Sequence, residues 1–515
     1  MIAEQRVLVV EDEEDWQQEL TRAFKELFGE EVDVAHDLDP AWILLNSRHY
    51  EIVTVDLSLV GGTPSNAFTP NERGFELLKR LRHSHRAAPS PALIIVTGYP
   101  TSQAMIEAFT EHRVDDFVEK FPGGKSFDRD AFIERMRRVL MHARLRTARR
   151  RVEERDHATI VATSDQLLSG MVSGSIVLIG PEAHLDAAGF GNRADSINDL
   201  IAKGGGEWRK ATRKIGGKLY ELLVSNEKVA RILAGVRERS TPRDPSVIEF
   251  AGPSELLRVP FELITTGEDY LCFESIITRR LTVDSGYRAK PRHFHDFIDH
   301  LIVTDQPLNA LIVGVNPDGS LPAVDVEVDR IAAQMHRILD TVGLPHSVET
   351  LSGSAATYEA IRDRLSTSTV HLLHYAGHGR FDSKLPEASG VVVNRGAGPQ
   401  MLRAAELKQL LTGSGIQLVF LSCCVGARTA SRLGGGDFHG TLEAVARAGI
   451  PTAIGYRWVV PDDAALAFAT TFYEELMSTF SPELAVFRTR IAAAADPIDG
   501  RNNSMWASAI LISQI

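Results

Sequence analysis

The sequence predicts an α/β fold of doubly wound parallel sheets, on two observations. In the first third of the chain, short apolar runs alternate with segments of helical period, and each run stops abruptly at polar residues. Val7–Val10 runs into Glu11-Asp12, Ile52–Val55 into Asp56, Leu93–Val96 into Thr97-Gly98, and Phe117–Glu119 into Lys120. The helical segments between them include 16–28 and 74–82. The pattern returns late in the chain, where Val370–Ala376 meets Gly377-His378-Gly379 and Ile416–Leu421 meets Ser422-Cys423-Cys424. Such alternation implies parallel strands joined by helical crossovers. Open sheets of that kind bind ligands beyond the carboxyl ends of their strands.

Composition sets outer limits. The 515 residues are 44% hydrophobic and 24% charged, an ordinary globular balance with room for about two to four domains. No apolar run approaches the ~18 residues that span a bilayer, so no membrane segment is expected. Glu4 and the acidic Glu11–Asp15 interrupt any apolar core of a secretory signal. Three cysteines argue against a disulfide framework and for a reducing, cytoplasmic setting. A net charge of −12 speaks against a dedicated nucleic-acid binder.

Acids, a hydroxyl and an ammonium at strand ends suit a hard, oxygen-ligated cation beside a phosphoryl group. One acid at a strand end is more often a solvated carboxylate; five such residues in register are not. On these residues, 1–142 resembles a response-regulator receiver domain. The resemblance implies that Glu11, Asp12 and Asp56 hold Mg²⁺ and that Asp56 accepts a phosphoryl group from a sensor histidine kinase. It makes Thr97 the hydroxyl that follows the phosphoryl group, Lys120 its counter-ion and Phe117 the aromatic switch. Two departures bear on switching: Phe121 separates Lys120 from Pro122, and the loop from Val60 to Arg73 is longer than usual.

Residues from Phe132 to about Asp156 read as one long helix, with Phe132, Met136, Val139 and Ala143 on a common face. Nine arginines fall between Arg135 and Arg155. A basic helix can contact nucleic acid; here the reading is an arginine-rich helical linker, 143–173, whose arginines pair with neighbours. No helix-turn-helix, zinc-finger or RNA-binding signature accompanies it. Strands and helices resume over 174–300, including Ser175–Ile179, 215–223 and Val247–Phe250. Gly204-Gly205-Gly206 lacks the lysine of a phosphate loop.

A thiol is a weak nucleophile until a base or cation favours the thiolate. His378 and Cys424, 46 residues apart (378 to 424), stand at neighbouring run ends and can supply both parts. The histidine-first order and the separation approximate the caspase arrangement. Further segments carry the likeness: Pro260-Phe261-Glu262-Leu263, Ala376-Gly377-His378-Gly379, Leu421-Ser422-Cys423-Cys424, and Gly449–Gly455 continuing to Trp458. On these, 174–515 is similar to the CHAT peptidases, relatives of caspases and separases. The resemblance implies a caspase-like catalytic half, 301–515, preceded by a non-catalytic half, 174–300. Cys424 then corresponds to the nucleophile and His378 to the general base, with the amides of Gly379 and Cys424 facing the oxyanion. Cys423 stands where the family usually has alanine, and the strand pleat turns it toward the core. His371 and His374 read as core or subsite residues, and Gly434-Gly435-Gly436 as an active-site loop.

In separases and several CHAT enzymes an aspartate close after the tryptophan receives a basic side chain. The resemblance implies that role for Asp462 first and Asp463 second, since a carboxylate recognises arginine through paired hydrogen bonds. Both residues equally suit the start of the following helix. Asp325, Glu327 and Asp329 read either as acidity near the cleft or as an exposed approach to a helix. The expected function is a cytoplasmic cysteine endopeptidase acting on a protein substrate after a basic residue, controlled by aspartyl phosphorylation. The peptidase itself is expected to need no cofactor. A catalytically silent CHAT-like scaffold is the alternative. Phosphorylation is expected to relieve inhibition, although Phe121 and the long loop leave the opposite sign open.

Overall fold

The first-third runs assemble into a five-stranded parallel sheet. Its strands are β1 (Val7–Val10), β2 (Asp33–Ala35), β3 (Ile52–Val55), β4 (Ala92–Thr97) and β5 (Asp116–Glu119), ordered β2-β1-β3-β4-β5. The computed structural model describes residues 7–29, 32–59, 72–83, 91–98, 100–162, 166–172, 180–184, 187–203, 206–225, 227–252, 254–267, 269–281, 292–380, 389–396, 398–423, 439–458, 460–495 and 504–515. The central strands are buried on both faces, against Leu20, Phe24 and Met136 on one side and Leu45, Leu78 and Ala108 on the other. The apolar-run reading misses β2, because Asp33-Val34-Ala35 is a short, half-exposed edge strand. Of the long loop after Asp56, residues 60–71 lie outside those described, and Glu72 and Arg73 open helix Glu72–His83.

The arginine-rich helix spans Arg129–Glu154 without a break. Its Phe132, Ile133, Met136 and Leu140 belong to the core of the first sheet. Several of its arginines are engaged: Arg135 with Asp116 at 2.6 Å, Arg144 with Glu51 at 2.8 Å, Arg146 with Asp115, and Arg149 with Asp299 at 3.2 Å. Such pairs are individually weak, but they commit this charge to neighbouring carboxylates. Two compact units result, Met1–Ala148 with Leu339–Leu344, and Arg149–Ile338 with Pro345–Ile515.

The second unit holds an eleven-stranded mixed sheet. It begins with β6 (His157–Ala162), β7 (Gln166–Val172), β8 (Gly180–His184), β9 (Val247–Gly252) and β10 (Ile276–Leu281). It continues with β11 (Leu308–Val315), β12 (His346–Ser352) and β13 (Leu372–Gly377). A separate antiparallel sheet of β14 (Gly379–Arg380), β15 (Gly390–Arg395) and β16 (Gly398–Arg403) follows, and β17 (Leu418–Cys423), β18 (Thr452–Tyr456) and β19 (Ala509–Ser513) complete the large sheet. Its order is β12-β11-β13-β17-β18-β19-β10-β9-β6-β7-β8. From β12 to β18 all pairings are parallel, and β19 joins β18 antiparallel.

The structure corrects the linker expectation for 143–173. The helix ends at Glu154, and β6 pairs in parallel with β9, Ala158 opposite Ile248. Ala158 and Ile160 are fully buried in that sheet's core, so this stretch is sheet rather than linker. The expected strand Ser175–Ile179 lies outside the described residues, as do two of the three glycines at 204–206.

Glu327 needs a second correction. Helix Ala323–Val342 buries Val324, Glu327, Val328 and Ile331 on one face, while Asp325 and Asp329 stay exposed. Glu327 approaches His374 Nε2 at 3.1 Å, and His374 Nδ1 lies 3.2 Å from the Tyr473 hydroxyl. It is an interior polar chain, and His374 is a core residue. His371 is buried too, its Nδ1 accepting from the Asn309 amide at 3.1 Å.

Candidate functional sites

In the first unit, the carboxyl ends of β1, β3 and β5 bring Glu11, Asp56 and Lys120 together, all three buried. Lys120 Nζ donates to Glu11 at 2.9 Å and to Asp56 at 2.7 Å, and lies 5.3 Å from the Trp16 ring centre. Two buried carboxylates share one ammonium, so the pocket is short of positive charge. Burial, then the charge of Asp56, pushes the Glu11 carboxyl up to about 7 against the pull of Lys120. Burial opposes the Lys120 ammonium, yet Asp56 and Glu11 hold its pKa above the ordinary value. Ligand oxygens of Glu11, Asp12 and Asp56 all lie within 4.8 Å of one another. This hard-oxygen set, with its surplus negative charge, fits a divalent cation such as Mg²⁺. Thr97 is buried at the end of β4, with its carbonyl accepting from the Lys120 amide at 2.9 Å. Phe117 is packed in the core, whereas Phe121 is exposed and stands edge-on to Trp16 at 5.4 Å.

In the second unit, β13 and β17 are parallel neighbours, with Gly377 in register opposite Cys423. The chain therefore leaves the two strands at one level, just before His378 and just before residue 424. Cys424 itself lies outside the described residues, as does 434–436. Glycine is required at 377: a Cβ would come 2.7 Å from both the Tyr375 hydroxyl and the Val315 carbonyl. That hydroxyl reaches the carbonyls of His378 at 3.0 Å and Val392 at 2.6 Å. The His378 carbonyl also accepts from the Val392 amide at 2.9 Å, so its backbone is held from two directions. Gly379 is buried and pairs with Val391 in the small sheet.

The half-buried His378 ring meets a turn that the sequence reading missed. Its Nε2 lies 2.9 Å from Ser320 Oγ and 3.2 Å from Asp318 Oδ1. Both residues follow β11 in Asn316-Pro317-Asp318-Gly319-Ser320, where Gly319 takes φ +67° and the Asn316 side chain bonds Leu321 through both its amide and its oxygen. Hydrogen bonds from the Ser320 hydroxyl and amide hold the Asp318 carboxyl down at about 2. The available signal was an Asn-Pro-Asp-Gly turn at the end of an apolar run.

Cys423 is buried as expected, and burial, then the Glu327 charge, raises its thiol well above the ordinary range. Burial likewise pushes Cys272 up to about 12. Neither offers a thiolate. Asp463 is exposed in the first turn of helix Asp462–Thr479 and accepts from the Ala464 amide at 2.9 Å, the helix-start alternative. The side chain of Asp462 lies outside the described residues. Trp458 is a core residue whose Nε1 donates to the Ala194 carbonyl at 2.9 Å.

The Pro260-Phe261-Glu262-Leu263 segment is structural. Arg279 forks onto Glu262 at 2.5 and 2.8 Å and donates to the Val259 carbonyl at 2.8 Å, both side chains fully buried. Arg457, next to Trp458, donates to the Leu257 carbonyl at 2.6 Å and the Val259 carbonyl at 3.2 Å. Two segments distant in sequence are thereby tied together.

Comparison with known families agrees with this division. A CHAT domain matches residues 213–514 and a response regulator receiver domain matches residues 7–136. The chain belongs to the CHAT domain family, a caspase-like fold family, and carries a receiver domain ahead of it. Similar solved structures include the signal receiver domain of an HD domain-containing protein from Pseudomonas fluorescens Pf-5, at 24% identity over 27% of this chain and 95% of that one, TM-score 0.21. A CheY-like receiver domain protein from Methanospirillum hungatei JF-1 shares 20% identity over 27% of this chain and 95% of that one, TM-score 0.22. The receiver domain of Francisella response regulator 1452 shares 26% identity over 27% and 98%, TM-score 0.21. No curated protein matches. Receiver domains usually bind Mg²⁺ at an acidic site and typically interact with histidine kinases; Glu11, Asp12 and Asp56 form such a cluster. No helix among the described residues is long and apolar enough to cross a membrane.

Proposed function

We propose that the protein is a cysteine endopeptidase whose activity is set by phosphorylation of Asp56. The observation that carries the peptidase reading is the register of β13 and β17, which ends one strand before His378 and its neighbour before Cys424. In the reaction His378 takes the proton of the Cys424 thiol, and the thiolate attacks the scissile carbonyl. The amides of Gly379 and Cys424 receive the oxyanion, and His378 returns the proton to the leaving amine. The two buried cysteines, Cys272 and Cys423, support Cys424 as the reactive thiol by elimination. Asp462 is the first choice, and Asp463 the second, for receiving an arginine or lysine ahead of the cleaved bond.

In the receiver pocket, Glu11, Asp12 and Asp56 would hold Mg²⁺. The cation would neutralise phosphoryl oxygens while Asp56 accepts the group from a histidine kinase. Lys120, already within 2.7 Å of Asp56, would pair with the new charge, and Thr97 would engage it. A tenfold shift between two states needs about 1.4 kcal/mol, within reach of one such group. We place activation on the phosphorylated state.

The test is proteome-wide mapping of new N-termini, comparing the wild type with Cys424→Ala, each with and without a phosphoryl mimic and Mg²⁺. New termini after arginine or lysine, lost in Cys424→Ala and increased by the mimic, support the reading. Identical termini from both proteins would make the CHAT unit a scaffold. Equal yields with and without the mimic, and with Asp56→Asn, would remove the receiver from control of cleavage.

A further inference from the structure

The turn after β11 sets two oxygens against one ring nitrogen of His378. Ser320 Oγ has one proton, and it is donated to Asp318 Oδ1 at 2.7 Å. Toward His378, 2.9 Å away, that oxygen can therefore only accept. Asp318 Oδ1, 3.2 Å from the same Nε2, belongs to an ionised carboxylate and also only accepts. Two acceptors converge on one nitrogen, so a neutral His378 must carry its proton there. We infer that Asp318 and Ser320 are positioning residues that lock neutral His378 as the Nε2–H tautomer, leaving the Nδ1 lone pair as the base.

The consequence rests on the proposed role of His378 and deepens it. Proton transfer from the Cys424 thiol to Nδ1 creates an imidazolium whose second N–H already points at Asp318, so the new positive charge forms beside a fixed negative one. The thiolate keeps the electron pair of the broken S–H bond. On protonation of the leaving amine, Nδ1 gives the proton back and the starting tautomer is restored. The turn holds its shape independently of the histidine. Gly319 takes the positive φ, Asn316 clasps Leu321, and the Ser320 amide also donates to Asp318 at 3.1 Å. Tyr375 and Val392 hold the backbone of His378, which leaves the ring as the part that the turn orients.

The direct test is ¹⁵N-histidine NMR of the full chain above the imidazole titration, with the His378 signals assigned by their loss in His378→Gln. The inference expects the Nε2–H pattern in the wild type and its loss in Asp318→Asn, whose amide can donate to Nε2 and drive the proton to Nδ1. An Nδ1–H pattern in the wild type, or no change in Asp318→Asn, overturns it, whatever the enzyme does. With a cleavable substrate, Asp318→Asn should lower kcat by about 10²–10⁴-fold, as wrong-tautomer variants of triads do, with KM little changed. Unchanged kcat in a variant with the altered tautomer would overturn the catalytic part. Ser320→Ala should give a smaller loss in kcat. Absence of any peptidase activity sinks the proposed function and leaves the tautomer result standing.

Discussion

Two buried charge clusters, one in each unit, differ in a way that separates a working site from a structural bolt. Glu262 and Arg279 are joined by paired hydrogen bonds and sealed from solvent, and the buried Arg490 and Arg457 add positive charge around the same carboxylate. Despite burial, Arg279 holds the Glu262 carboxyl below its ordinary value. The receiver pocket instead gives one lysine to two carboxylates, and burial with mutual repulsion raises Glu11 to about 7. A carboxylate already surrounded by guanidinium charge needs no further cation. Two carboxylates that share one ammonium hold room for a cation or a change of charge, as the proposed phosphorylation of Asp56 requires.

The largest expected effect breaks the Glu262–Arg279 pair. Glu262→Ala leaves Arg279 charged and buried and should cost about 3–5 kcal/mol of stability, read from denaturant midpoints. Asp56→Asn leaves Lys120 paired one to one with Glu11, and metal-free stability should change by less than about 1 kcal/mol. A loss in Asp56→Asn as large as in Glu262→Ala would erase the distinction. Gly377→Ala comes next. Its Cβ would press on the Val315 carbonyl and the Tyr375 hydroxyl at 2.7 Å, an overpacking that typically costs about 1–3 kcal/mol and should also displace His378.

The unbalanced pocket carries a pH signature. The folded-state pKa of Glu11 is raised from 4.5 to about 7. Its contribution to metal-free stability is therefore fully present below 4.5 and lost as pH rises through about 7. Cation binding needs the ionised form, so Mg²⁺ affinity should fall as pH drops through about 7. Trp16, 5.3 Å from Lys120 Nζ, is a natural fluorescence reporter. Glu11→Gln should weaken the affinity and flatten its pH dependence; an unchanged profile would exclude Glu11 as the titrating ligand. The smallest effect is expected from Asp463→Ala. It removes one exposed helix-start hydrogen bond, within about 1 kcal/mol, and should leave cleavage largely intact if Asp462 is the specificity residue.

The two sites were unequally legible in the sequence. Glu11, Asp12, Asp56, Thr97 and Lys120 each end or follow an apolar run, so strand topology alone gathers them. The His378 environment depends on a third strand. Asp318 and Ser320 sit in a polar turn after β11 that resembles any Asn-Pro-Asp-Gly loop until the register of β11 with β13 is known. Glu327 was readable, because Val324, Val328 and Ile331 place it on a buried helical face, but the alternating acids around it suggested exposure. Strand β6 was hidden by its neighbour: nine arginines drew the linker reading past Glu154, although His157–Ala162 is rich in β-formers. Pro260–Leu263 was legible as a segment but not as a role, since Glu262 gains meaning from Arg279.

The central claim is that Cys424, activated by His378, is the nucleophile. A thiol-directed peptidyl probe with a basic residue next to its reactive group, mapped by mass spectrometry on the native chain, tests it most directly. The account predicts a label at Cys424, strongly slowed in His378→Ala, with Cys272 and Cys423 unmodified. Labelling at Cys423, or equal labelling of Cys424 with and without His378, would contradict it.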